Sequence, residues 1–202
     1  QRDIIKPATR NFNRCRYSDL KSVKPFTGGA TVFMSHCWGA KWGDLVMAAA
    51  EGARSDRIVW IDLFAVRQWP GNKADLDFRS VIGRSNGIIA SVSTNESLGA
   101  FVMHIQRDRM KWLEHANFGG KAKKNIFVFR LWCVVELAAA VLQGKPVVVK
   151  VGKVEKILKK NITYYKYNKT GAVNMMENLS HMIHTVNSEC AVKADYDREM
   201  GI

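Results

Sequence analysis

The sequence lacks the closely spaced cysteines that zinc sites and disulfide frameworks require. Its four cysteines, Cys15, Cys37, Cys133 and Cys190, are far apart in a chain of 202 residues, and no two of them form a CxxC pair. This spacing indicates neither a zinc ribbon nor a disulfide-rich secreted domain, and it fits a reducing cytosol best. We expect a cytoplasmic protein.

Long hydrophobic runs are also missing. The most apolar stretch, residues 126–142, is interrupted by Arg130 and Glu136. It falls short of the roughly 20 residues that a membrane-spanning helix needs, so no membrane span is predicted. The chain starts at Gln1 without a cationic and apolar signal segment, which is typical of an excised domain or a processed chain.

Common catalytic and nucleotide-binding signatures are absent as well. The sequence has no P-loop of the GxxxxGKS or GxxxxGKT type and no GxGxxG loop, so it signals neither a P-loop enzyme nor a dinucleotide dehydrogenase. No GxSxG motif surrounds Ser35, which argues against a serine hydrolase built on Ser35 and His36. His181 and His184 are three residues apart, but no third ligand accompanies them, so we predict no metal site.

What the chain has in excess is positive charge. Lysine and arginine number 31 against 18 aspartate and glutamate residues, which gives a net charge of +13. Such a charge favours anionic partners such as nucleotides, nucleic acid or an acidic membrane surface, without choosing among them. The 47% of hydrophobic residues is near the globular average, and 202 residues suffice for one well-packed domain.

Alternating strand and helix patterns predict an α/β domain with a parallel sheet. Short β-rich apolar runs predict strands over residues 31–35, 57–62, 87–93 and 145–152. Helical spacing of apolar residues predicts helices over residues 41–53, 76–85, 130–144 and 175–186.

The same patterns divide the chain into three parts. Residues 1–30 are predicted to form a basic lead-in, because they show no sustained period. Residues 31–190 are predicted to form the α/β domain, with an insertion at about 94–129. We expect residues 191–202 to form a C-terminal tail that continues into a longer protein.

Candidate binding residues follow from the strand positions. In open parallel α/β sheets, ligands bind beyond the carboxyl ends of the strands. Polar and aromatic side chains occur together after the first two predicted strands, which suits a nucleotide ligand. The candidates are Ser35, His36 and Trp38 after the first strand, and Asp62, Phe64 and Arg67 after the second.

Glu136 is the most informative single residue, because nearly all the other residues of its predicted helix are apolar. An ionised glutamate is rarely buried unless it is paired, so Glu136 either meets a buried cation or lines a cleft in which a ligand meets it. The pattern alone does not decide between these two interpretations. Trp132 lies four residues earlier, on the same helix face. Cys133 could pair with His36 as a thiolate, but a small inert side chain is the expected role of a cysteine in so apolar a helix.

A lysine-rich segment with three tyrosines, Tyr164, Tyr165 and Tyr167, follows the last predicted strand. Such a segment can bind nucleic acid by stacking bases on its aromatic rings. The alternative is a solvated lysine-rich face, which we favour because no nucleic-acid-binding signature accompanies the charge. A nucleic-acid partner is therefore not expected.

The order of the motifs resembles the Toll/interleukin-receptor (TIR) domain family, and more closely its divergent branch in eukaryotic microbes. VFMSHCW at 32–38 is similar to the first TIR strand and its loop, and VWIDLFAVRQ at 59–68 to the second strand leading into the BB loop. SNGIIASVS at 85–93 is similar to the third strand. RLWCVVEL at 130–137 resembles the WCxxEL helix motif of plant-type TIR domains and is the most specific of the four.

The resemblance implies a flavodoxin-like three-layer fold, with a central parallel sheet and helices on both faces. It further implies an NAD+ glycohydrolase that releases nicotinamide together with ADP-ribose or a cyclic isomer, in signalling or defence. NAD+ would be the substrate, and no cofactor is expected. Glu136 would be catalytic, and the implied NAD+ contacts are Ser35, His36, Trp38, Asp62, Phe64, Arg67 and Trp132.

Two alternatives to this activity stay open. Other TIR domains do no chemistry and act as signalling scaffolds through self-association, often via the BB loop, here about residues 63–73. Self-association is therefore expected under either interpretation. A nucleoside or nucleotide deoxyribosyltransferase-like enzyme shares the α/β layout and a catalytic glutamate, but the WCxxEL motif argues against it.

Overall fold

The computed structural model describes residues 3–93, 130–159 and 162–174. The predicted insertion at about 94–129, the predicted helix at 175–186 and the predicted tail at 191–202 lie outside the described residues. The strands of the described part are β1 Val32–His36, β2 Val59–Trp60, β3 Gly87–Ser93, β4 Val147–Lys159 and β5 Ile162–Asn174.

These strands form one sheet in the order β2-β1-β3-β4-β5. β2, β1, β3 and β4 pair in parallel, whereas β5 runs antiparallel to β4. The sheet is therefore mixed and mostly parallel, which confirms the predicted α/β class. The antiparallel strand was not predicted. Its direction follows from the chain, since only residues 160 and 161 separate β4 from β5 and a parallel crossover needs about a dozen residues or more.

The α-helices of the described part are α1 Ile5–Arg10, α2 Trp42–Ala50, α3 Asp62–Ala65, α4 Phe78–Arg84 and α5 Leu131–Leu142. The Asp77 side chain begins α4 by accepting a hydrogen bond from the backbone N–H of Ser80 at 3.2 Å. Gly144 follows α5 with a φ of 63°, a left-handed conformation that glycine adopts at little cost. None of the described helices has the length and apolarity to span a membrane.

Successive residues of the strands pack against helices on opposite faces of the sheet, as expected for side chains that alternate along a strand. Phe33 and Ile88 belong to the core cluster that contains residues of α4 and α5. Met34 and Ile89 pack with Leu45 of α2 on the other face. Helices therefore cover both faces of the sheet.

The N-terminal segment packs against residues 66–77, which connect α3 to α4. Thr9 of α1 is buried, and its hydroxyl accepts a hydrogen bond from the indole N–H of Trp69 at 3.0 Å. Lys6 and Arg14 lie 5.3 and 5.0 Å from the centroid of the same indole ring, which places two cations within cation–π range. Part of the basic charge of residues 1–30 thus holds this segment on the domain.

Candidate functional site

The strand order reverses between β1 and β3, since the chain passes from β1 to one side of the sheet to form β2 and to the other side to form β3. Such a reversal opens a crevice at the carboxyl ends of the strands. A cavity of about 440 Å³ lies at the same edge of the sheet, between the ends of β1 and β2 and the first half of α5. Five of the predicted site residues line it: His36, Trp38, Asp62, Trp132 and Glu136.

Glu136 is held at this cavity by a hydrogen bond from β1. The hydroxyl of Ser35, itself buried at the end of the strand, donates to Oε2 of Glu136 at 2.6 Å. Burial raises the pKa of Glu136 well above its usual range, the nearby charge of Asp62 raises it as well, and the Ser35 hydrogen bond partly opposes the rise. Among the described residues, the Ser35 hydroxyl is the one hydrogen-bond donor to this half-buried carboxyl group, and burial favours the protonated form.

The described residues bear on the two interpretations of Glu136, because none of them provides it with a counter-ion. Among the described residues, the ion pairs involve other carboxylates, and no lysine, arginine or histidine pairs with Glu136. No cation contributes to its pKa shift either. A structural ion pair thus has no partner in the described part of the chain, and the geometry is that of a carboxylate facing a cleft.

Asp62 organises the opposite side of the cavity. Its Oδ2 accepts a hydrogen bond from the indole N–H of Trp38 at 2.7 Å, and its Oδ1 lies 3.7 Å from Nε2 of His36. The carboxylate therefore fixes the edge of an exposed indole beside an imidazole. On the α5 side, Trp132 packs edge-on against Phe78, with ring centroids 5.2 Å apart. The cavity thus has two aromatic walls that are suited to planar rings.

Three predicted site residues do not line this cavity: Ser35, which is buried and contacts Glu136, and Phe64 and Arg67. Phe64 packs against the rings of Tyr17 and Trp42, each at a centroid distance of 5.3 Å. The guanidinium of Arg67 donates from Nε to Oδ2 of Asp75 at 2.8 Å, and its backbone N–H donates to the same oxygen. Both side chains therefore stabilise the structure around the cavity and do not form its lining.

Asp75 is the centre of that segment. Its carboxylate is only 1% exposed, and it accepts a second arginine, Arg16, at 2.6 Å. Burial by itself would raise the pKa of Asp75, but hydrogen bonds from Arg16 and Arg67 lower it to about 2. Because Asn72 and Leu76 line the cavity on either side of Asp75 in sequence, this ion pair positions one wall of the site.

The sequence analysis missed several lining residues. Asn72 and Arg130 line the cavity, and so does Trp60 of β2. Asn72 follows the Pro-Gly turn. Arg130 immediately precedes α5, and a cation at the start of the helix that carries Glu136 was a usable signal. Trp60 gave no such signal, because an aromatic residue inside a strand usually belongs to the core.

Cys133 lines the cavity as a neutral thiol. Its Sγ donates to the backbone carbonyl oxygen of His36 at 3.4 Å. A hydrogen bond with Cys37 and burial raise the pKa of Cys133, so a thiolate is disfavoured. The described part of the chain contains no group of three histidine, cysteine, aspartate or glutamate residues that could hold a metal ion.

Comparisons with known proteins found no matching family model, no matching curated protein and no matching solved structure. The TIR resemblance therefore depends on the four sequence blocks alone.

Proposed function

We propose that this protein is a TIR-type NAD+ glycohydrolase in which Glu136 is the catalytic carboxylate. One observation carries the proposal: the desolvated Glu136 carboxylate has no cationic partner among the described residues and lies in a cavity at the carboxyl ends of β1 and β2. A buried charge without a partner is costly, and such groups are concentrated at functional sites.

The proposed reaction needs one carboxylate. The bond between the ribose C1′ and the nicotinamide nitrogen breaks, its electron pair leaves with nicotinamide, and nicotinamide departs as a neutral molecule without a general acid. Positive charge develops on the ribose, as in glycosidic cleavage generally, and the ionised Glu136 stabilises it. Water then adds to C1′ and loses a proton to give ADP-ribose. Attack by a nucleophile of the same dinucleotide instead gives a cyclic isomer.

Other groups of the cavity fit roles in holding NAD+. Trp38 and Trp132 offer aromatic faces to the nicotinamide or the adenine ring. Ser35 orients Glu136 through the 2.6 Å hydrogen bond. His36 lines the same cavity, and we assign it a contact to the ribose or the pyrophosphate. Arg67 is engaged by Asp75, so we assign phosphate neutralisation to Arg130, a cation of the cavity lining.

The proposal includes the flavodoxin-like three-layer TIR arrangement. The parallel order β2-β1-β3-β4 and the helices on both faces of the sheet support it. It also includes a cytoplasmic signalling or defence role, with activity that depends on self-association through the segment at about 63–73. A non-catalytic scaffold of the same fold is the alternative that the experiment below addresses.

The experiment is incubation of the purified 202-residue chain with NAD+ at low and high protein concentration, with nicotinamide, ADP-ribose and cyclic products quantified. We expect nicotinamide release, with a specific activity that rises with protein concentration. Glu136→Gln should abolish the release, whereas Glu155→Gln, which changes an exposed glutamate outside the cavity, should not. Absence of nicotinamide release at every concentration would favour the scaffold.

A further inference from the structure

The hairpin formed by the end of β4 and the beginning of β5 has no role in the proposed activity. We call residues 153–159 and 162–169 the cationic arm. β4 begins in the core, where Val147, Val149 and Val151 are buried. The β4–β5 register shifts between Val151 and Gly152, and contact with α2 continues to Val154, whose backbone N–H donates to Asp44 at 2.7 Å. Beyond Val154, β4 extends away from the core and its residues become exposed.

The arm is strongly positive. It contains five lysines and one glutamate. Lys153 is paired with that glutamate, Glu155, at 3.1 Å, and Lys169 is paired with Glu51 of the domain at 3.1 Å. Within the described ranges, Lys156 and Lys159 have no acidic partner. The arm therefore presents uncompensated positive charge to whatever approaches it.

The far end of the arm also exposes aliphatic side chains, which a purely solvated lysine-rich hairpin does not need. Leu158 is 69% exposed, Ile162 is 55% exposed and Ile157 is 39% exposed. Lys159 pairs with Ile162 and Leu158 pairs with Thr163 in the register, so these residues cluster at the closed end of the hairpin. Tyr165, 66% exposed, follows on β5.

The aliphatic side chains lie on both faces of the hairpin. Paired residues of antiparallel strands share a face, and neighbours along a strand alternate. Ile157 and Ile162 therefore lie on one face and Leu158 on the other. A partner that packs against one face of the sheet would leave the opposite face exposed to water, whereas insertion of the whole end into an apolar medium buries both.

The surrounding charge identifies the medium. An anionic lipid bilayer accepts apolar side chains in its acyl region and attracts lysines at its head groups. Tyrosine is favoured at the boundary between the two because its ring is amphipathic. A nucleic-acid backbone would also attract the lysines, but it offers nothing to three aliphatic side chains.

We propose that the cationic arm binds the surface of an anionic lipid bilayer by inserting Ile157, Leu158 and Ile162 between lipids whose head groups the lysines contact. This surface binding is separate from the proposed activity, since the arm does not line the Glu136 cavity.

The test is sedimentation of the full chain with vesicles of phosphatidylcholine alone or with phosphatidylserine, at two salt concentrations. A duplex and a single-stranded oligonucleotide are titrated in parallel. The variants are Lys156→Gln with Lys159→Gln, and Ile157→Ser with Leu158→Ser and Ile162→Ser. Leu142→Ser is the matched control, because Leu142 is an 86% exposed leucine outside the arm. Circular dichroism verifies that each variant folds.

We expect binding to the phosphatidylserine vesicles only, weaker at the higher salt concentration. Each lysine removed should weaken it about fivefold. The triple serine variant should weaken it about tenfold or more, while a variant with Ile157→Val, Leu158→Met and Ile162→Val binds as the parent does. The proposal is overturned if the parent does not bind these vesicles, or if the serine variant binds them like the parent. Oligonucleotide binding lost with the lysines but kept in the serine variant would overturn it as well.

Discussion

Two carboxylates on opposite sides of one cavity show how differently the same chemical group is used in this molecule. Asp75, which belongs to the segment 66–77 beside the cavity, accepts hydrogen bonds from Arg16 and Arg67. These hydrogen bonds lower the pKa of Asp75 to about 2. Glu136, on α5, accepts one hydrogen bond from Ser35, and burial raises the pKa of Glu136. Within the described residues, Asp75 is paired with two arginines, whereas Glu136 has no cationic partner and lines the cavity.

Removing the charge of Asp75 is expected to have the largest effect on folding stability. Asp75→Asn leaves Arg16 and Arg67 without their shared carboxylate, so we expect the free energy of unfolding to fall by about 3 kcal/mol in denaturant titrations at neutral pH. Asp56→Asn is the control, because Asp56 pairs with Arg54 on the exposed surface. If both variants lose the same small amount, Asp75 does not hold the wall.

Acid should remove most of the difference in unfolding free energy between the parent and Asp75→Asn. The folded-state pKa of Asp75, about 2, lies below the ordinary value of 3.8, so its stabilisation is present above pH 4 and is lost as the pH falls towards 2. This linkage amounts to about 2 kcal/mol. Unfolding free energies measured between pH 6 and pH 2 should converge for the two proteins. A constant difference across that range would contradict the assigned pKa.

Removing the charge of Glu136 should increase the free energy of unfolding, which is the opposite of the effect expected at Asp75. The raised pKa of Glu136 means that ionisation costs stability, and this cost grows as the pH rises through the folded-state pKa. Glu136→Gln should therefore increase the free energy of unfolding by about 1 kcal/mol near pH 8 and by less at pH 4, where the glutamate is protonated. Thermal melts over this pH range measure it. A variant that melts many degrees lower would indicate a structural ion instead.

The smallest expected effect sharpens the role of Ser35. Its hydrogen bond lowers the pKa of Glu136 against the effect of burial, so Ser35→Ala should raise that pKa further. If the ionised glutamate is catalytic, the acid limb of the activity profile should move to higher pH. Ser80→Ala serves as a control on the exposed surface of α4. An acid limb that does not move would separate Ser35 from the titration of Glu136.

Much of the fold could be predicted because local patterns decide it. The strands Val32–His36 and Gly87–Ser93 and the apolar helix Leu131–Leu142 are observed within one or two residues of their predicted bounds. β5 could not be predicted in this way. Its tyrosines and lysines indicate a solvated segment, and its pairing depends on the two-residue link to β4.

The candidate site was predictable where it follows the strand ends. Ser35, His36, Trp38 and Asp62 gather there because parallel strands end at one edge of the sheet. The engagement of Arg67 was not predictable. It depends on Asp75 and on Arg16, which is 59 residues away from Asp75, and no local pattern reports such a contact.

The role of Glu136 can be tested by a proton NMR time course of NAD+ with Glu136→Gln beside the parent. We expect the NAD+ resonances to broaden with both proteins, because the nearly isosteric glutamine preserves the cavity. Free nicotinamide should accumulate only with the parent. Nicotinamide released by Glu136→Gln at the parent rate would contradict the claim that Glu136 is the catalytic carboxylate.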